Sequence, residues 1–166
     1  MSIYGYCRIS TAKQSIDRQI RNIKTEYPTA HIVQEAYTGT SIFRPEWLKL
    51  YRILKSGDTV VFDSVSRMSR NAEEGFALYE DLYHKGIRLM FLKEHHIDTE
   101  TYKKALSGSI AMTGINVDFI LKGINEYLMA LAKEQIKLAF EQSEKEVADL
   151  HQRTREGLLT ARLNGK

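Results

Sequence analysis

Residues 59–92, TVVFDSVSRMSRNAEEGFALYEDLYHKGIRLMFL, decide the fold of this chain. Residues 59–63 are a short run of β-branched and aromatic side chains bounded by polar residues, which predicts a buried strand. Residues 72–84 place Phe76, Tyr79, Leu82 and Tyr83 at helical spacing, and Gly86 follows where such a helix needs its cap. Residues 87–92 form another short apolar run, a second strand. Strand, helix and strand joined so closely imply a crossover between parallel neighbours. The same alternation holds upstream. Residues 2–9 read as a strand, and residues 14–27 read as a helix with Ile16, Ile20, Ile23 and Tyr27 on one face, stopped by Pro28. Residues 31–37 form a further strand, followed by the polar loop Thr38-Gly39-Thr40-Ser41. Pro45 then opens a helix to about residue 55, with Trp47, Tyr51 and Leu54 on one side. The expectation is a doubly wound α/β domain, its mainly parallel sheet flanked by helices, ending near residue 100.

The remainder has a different character. A short helix is expected over residues 99–106, then a break at Ser107-Gly108-Ser109, then helix from about Asp118 almost to Asn164, with Gly123 and Gly157 as weak points. The ~40 residues from Ile124 onward would span roughly 60 Å, more than a small domain is wide. Ile124, Leu128, Leu131, Ile136 and Phe140 give its first half an apolar stripe, whereas its second half is mostly charged. Such a helix needs cover from another subunit, DNA, or both. The division expected is an α/β unit over residues 1–123 and a long helix over residues 124–166.

With 43% hydrophobic and 27% charged residues, a 166-residue chain can build its core without disulfides or structural metal. Its one cysteine, Cys7, has no internal partner and suits a reducing cytoplasm. No apolar run approaches the ~18 residues of a membrane span. A net charge of +3 is too small to identify a nucleic-acid partner, so the distribution matters more. Cations gather at Arg67 and Arg70, again at Arg153 and Arg155, and finally at Arg162 and Lys166.

Alternation along Tyr4-Gly5-Tyr6-Cys7-Arg8-Ile9-Ser10 turns Tyr6, Arg8 and Ser10 to one side, with Ser10 at the carboxyl end where parallel sheets bind ligands. A hydroxyl beside a guanidinium suits phosphate chemistry, because the cation attracts the phosphate and eases deprotonation. The same residues also fit an ordinary helix-capping serine beside a surface arginine. Arg67 and Arg70, one helical turn apart in Ser66-Arg67-Met68-Ser69-Arg70, offer two donor forks to a single anion on the same sheet edge. Arg44 before Pro45 is a third cation candidate.

Together these segments resemble the serine site-specific DNA recombinases of the resolvase/invertase kind. Tyr6-Cys7-Arg8-Ile9-Ser10-Thr11, with Gln14 and Gln19, is similar to their Y-x-R-x-S strand and the helix after it. Arg44-Pro45 resembles their Arg-Pro pair, and residues 60–70 resemble their strand running into D-R-L-x-R. Arg153-Thr154-Arg155-Glu156-Gly157 resembles the E-R-T-x-x-G tail of their long helix. Ser66 stands where the family has its aspartate, with Asp63 three residues earlier, and Glu146-Val147 stands at the family's mid-helix E-R pair. The resemblance implies that Ser10 attacks a phosphodiester and becomes joined to a DNA 5′ end. Arg8, Arg67 and Arg70 would bind the phosphate with help from Arg44, while Tyr6, Gln14 and Gln19 support the serine. It implies no metal and no other cofactor, double-stranded DNA as partner, and a dimer that becomes a tetramer when active. Ile124, Leu128, Leu131, Ile136 and Phe140 would supply the subunit interface, and Arg153, Arg155, Arg162 and Lys166 the DNA contacts. Family members carry a DNA-binding domain after this helix, so a chain stopping at Lys166 reads as a fragment.

Other signals are weaker. Glu94-His95-His96 lacks further spaced ligands for a metal, and no phosphate-binding Gly-x-x-x-x-Gly-Lys-[Ser/Thr] occurs. Met68, Met90, Met112 and Met129 read as packing groups. Two rival functions remain: a non-catalytic, flavodoxin-like dimerisation module, and a phosphohydrolase that releases its product.

Overall fold

Strands β1 (Ile3–Ile9), β2 (His31–Ala36), β3 (Thr59–Phe62) and β4 (Arg88–Phe91) form one sheet in the order β2-β1-β3-β4, and every pairing is parallel. These come from a computed structural model that describes residues 1–9, 16–36, 44–69, 71–107 and 113–165. The helices are α1 (Asp17–Glu26), α2 (Pro45–Ile53), α3 (Val65–Met68), α4 (Ala72–His84), α5 (Thr99–Ser107) and α6 (Asp118–Leu163). A 3-10 turn, His95–Ile97, precedes α5. The doubly wound, parallel α/β reading is therefore the observed one.

Strand alternation sorts the core into two faces. Tyr6, Phe62 and Phe91 point to one face and pack under Trp47, Leu50, Tyr79 and Leu82 of α2 and α4. The Phe62 and Phe91 rings stack at 5.4 Å, and Tyr6 meets Trp47 edge-on at 5.1 Å. Cys7 and Val61 point to the other face, against Ile23 of α1 and Ala30. Burial pushes the Cys7 thiol up to about 12, so it stays protonated at neutral pH. Gly86 ends α4 at φ +78°, where a side chain would be strained. It lets Gly86 N–H bond Tyr83 O and Ile87 N–H bond Leu82 O, which closes the helix and launches β4.

α6 runs 46 residues without interruption through Gly123 and Gly157, about 70 Å of helix. The expected division at residue 123 thus falls inside a helix that already began at Asp118. Ile136 and Phe140 are 2% and 1% exposed, packed into the larger core of their own domain. This corrects the expectation that both face a partner subunit: Gly75 on α4 has no Cβ, and one there would stand 2.6 Å from the Phe140 ring. Burying that ring contributes about 1.5–3 kcal/mol to holding α6 on α4. Among the described residues, no helix is long and apolar enough to cross a membrane.

Candidate active site at the carboxyl edge of the sheet

Because β1 lies between β2 and β3, the chain leaves β1 toward one side of the sheet and leaves β3 toward the other. The crevice between their carboxyl ends is the switch point at which open α/β sheets bind ligands. Arg8 sits in that crevice, 9% exposed. Its backbone is clamped by Gln19 of α1, whose side chain accepts from Arg8 N at 3.1 Å and donates to Arg8 O at 2.9 Å. The Arg8 guanidinium donates to Ser66 O, while Arg67 Nη1 donates to Arg8 O at 3.0 Å. β1 and α3 are therefore cross-tied, each arginine binding main chain beside the other. Arg44, the residue capping α2, donates to Met68 O and brings a third guanidinium to the same segment. Three of the cations expected from sequence thus meet at one edge. Ser10, Gln14 and Arg70 lie outside the described residues, Ser10 directly following Ile9 at the end of β1 and Arg70 directly following Ser69.

Tyr6 belongs to the same face. Its hydroxyl donates to Glu35 Oε2 at 3.4 Å, and burial raises it well above the usual phenol range despite the nearby Arg44 and Arg8 charges. Tyr6 is thereby a donor and a scaffold, and a poor nucleophile. Ser66 holds the place of an aspartate in the motif, and its hydroxyl pairs with Ser64 Oγ at 2.7 Å. Asp63 does not stand in for it beside Arg8: 1% exposed, it accepts from Asn22 Nδ2 at 2.9 Å and pairs with Lys93 at 3.4 Å.

Carboxylates are what sequence reasoning missed. Glu35, 2% exposed on β2 and in register with Arg8, accepts from Trp47 N at 3.0 Å and so caps α2 beside Arg44. Glu94 Oε2 accepts from Val65 N, and Glu144 Oε2 accepts from Ala72 N, each at 3.1 Å. A capping box has a local signature, whereas these caps come from remote elements and leave none. Glu94 adjoins His95 in sequence, but the His95 Nδ1 pairs with Asp98 Oδ2 at 2.8 Å. Among the described residues, no cluster of three or more His, Cys, Asp or Glu could hold a metal ion.

The residues expected on the long helix divide. Ile124 and Leu131 are 40% and 44% exposed. Leu128 and Leu131 line a groove of about 400 Å³ with Ile97, Tyr102 and Ile136. Arg153, Arg155 and Arg162 are all exposed, with Arg155 and Arg162 on one helix face and Arg153 nearly opposite. Lys166 lies outside the described residues.

The family model described as "Resolvase, N terminal domain" matches residues 3–137. The transposon Tn21 resolvase of Escherichia coli is 27% identical over 159 residues, 92% of this chain and 83% of its own. A resolvase of Clostridium perfringens is 28% identical over 166 residues, 99% of this chain and 74% of its own. A solved resolvase-family site-specific recombinase from Streptococcus pneumoniae is 19% identical, with 93% of this chain and 99% of that one covered and a TM-score of 0.46.

Proposed function

The chain belongs to the resolvase family, and from that premise we propose that it breaks and rejoins double-stranded DNA in site-specific recombination, with Ser10 as the nucleophile. Ser10 Oγ attacks a backbone phosphorus and gives up its proton, while the bond from phosphorus to the 3′ oxygen breaks and that oxygen takes a proton. A 5′-phosphoserine and a free 3′ hydroxyl result. The reverse attack by a new 3′ hydroxyl reseals the strand, so the bond energy is retained and the step needs neither metal nor nucleotide. Arg8, Arg67 and Arg70 stabilise the charge on the non-bridging oxygens, with Arg44 beside them. Gln19 and Tyr6 hold the end of β1, and Gln14 orients groups around the serine.

The observation that carries this reading is the meeting of Arg8, Arg44 and Arg67 at the strand end that immediately precedes Ser10. An interaction module has no use for three guanidiniums held there. A phosphohydrolase would release its product instead of remaining joined to it. The test is to stop the reaction in denaturant with excess EDTA present, using a labelled supercoiled plasmid that carries the DNA flanking the chain's own reading frame. Protease-sensitive attachment of label to protein is expected. Cleavage that vanishes with EDTA and returns with magnesium would make the chain a metal-dependent nuclease.

In this reading the α/β unit, residues 1–123, carries the chemistry, and the helix beyond carries subunit and DNA contacts. The protein acts in the cytoplasm, where the DNA is, as a dimer that pairs into a tetramer. Phe119, Ile120, Ile124 and Leu131 are exposed along the first turns of α6, beside the groove lined by Leu128. Self-association through these turns covers them, while Arg153, Arg155, Arg162 and Lys166 bind phosphates in a salt-dependent way. Light scattering at micromolar concentration should give a dimer for the wild type and a monomer for Leu131→Glu. A monomeric wild type would remove these turns from the interface.

A further inference from the structure

We propose that Glu94 and Glu144 are positioning residues for cleavage, holding the two ends of the arginine segment 65–72 from outside it. This rests on the recombinase reading above. α3 is a single turn of four residues, too short to sustain itself, and its capping residue Ser64 makes no side-chain cap bond. Its first amide, Val65 N–H, is taken instead by the Glu94 carboxylate beyond β4. At the other end, the first amide of α4, Ala72 N–H, is taken by Glu144 of α6, while Asn71 caps Glu74 N at 3.0 Å. Between them Ser69 Oγ closes on Asn71 through both its N–H and its carbonyl.

Arg67 therefore rides on a short span whose two ends, Val65 and Ala72, are fixed by carboxylates from different parts of the chain. An arginine acts on a developing charge only from within a narrow range of positions, so releasing either end should cost rate at constant affinity. Glu144 is also one turn beyond Phe140, whose ring lies against Gly75 of α4. The helix proposed to meet the partner and the DNA is thus bonded to the arginine segment itself.

The experiment measures single-turnover cleavage at saturating enzyme, and DNA affinity separately, on a labelled duplex cut from the flanking DNA. The proteins are wild type, Glu94→Ala, Glu144→Ala and the two Gln variants, assayed well below their unfolding temperatures. Each Ala variant should cleave about tenfold more slowly with unchanged affinity, and each Gln variant, whose amide oxygen still accepts the bond, should recover most of the rate. A merely structural role would lower the unfolding temperature and leave the rate of the folded protein alone. Ala variants cleaving at the wild-type rate, or Gln variants as slow as Ala, would overturn the proposal. If wild type itself forms no covalent adduct, the recombinase reading fails first, a distinguishable result.

Discussion

Ser10→Ala protein should bind its DNA with wild-type affinity and form no covalent adduct, a loss on the order of 10⁴-fold or more, as with other enzyme nucleophiles. The size of the effect follows from the neighbours. The Tyr6 hydroxyl is committed to Glu35 and held well above the usual phenol range by burial. The Cys7 thiol faces the opposite side of the sheet, buried and pushed up to about 12. The Ser66 hydroxyl is paired with Ser64. None is placed to take over. Ser10→Cys should keep a trace of activity, because a thiolate can attack phosphorus slowly. Denaturing gels of a trapped reaction read both variants, and adduct at undiminished yield from the alanine variant would remove Ser10 from the mechanism.

The second large effect is expected at the guanidiniums. Arg8→Ala, Arg67→Ala and Arg70→Ala should each slow strand cleavage by ~100-fold or more, the scale on which one donor to a developing anion acts. Their losses should combine to less than the product of the single effects, since all serve one phosphate. For Arg8 and Arg67 there is a further reason. Each donates to main chain next to the other, so removing one loosens both. Lysine should rescue neither, because an ammonium cannot hold a carbonyl and present a planar fork to phosphate. Burst amplitude and rate on the flanking-DNA duplex, with circular dichroism as a folding control, measure these effects. Losses below threefold at all three positions would mean that the arginines hold structure and do no chemistry.

The sheet was legible because its strands are short, apolar and separated by strongly periodic helices: Tyr79 and Leu82 lie where their spacing put them. The arginines were legible as a set because parallel strands bring their carboxyl ends to one edge. Ile136 and Phe140 were misassigned for a physical reason. An apolar stripe says that a helix face is covered and not what covers it, and here the absent side chain of Gly75 opens room for Phe140. Glu35, Glu94 and Glu144 were invisible because each bonds an amide remote in sequence, 12, 29 and 72 residues away. Hydrophobic periodicity carries no trace of such bonds.

Identifying both ends of the bond between protein and DNA tests the role of Ser10 most directly. Wild-type protein is trapped on the flanking-DNA plasmid in EDTA, digested with nuclease and trypsin, and the nucleotide-bearing peptide is sequenced by mass spectrometry. A 5′-phosphonucleotide on Ser10 and a free 3′ hydroxyl on the opposing DNA end are expected. A nucleotide on any other residue, a 3′-phosphate linkage, or cleavage with no attached peptide would contradict that role.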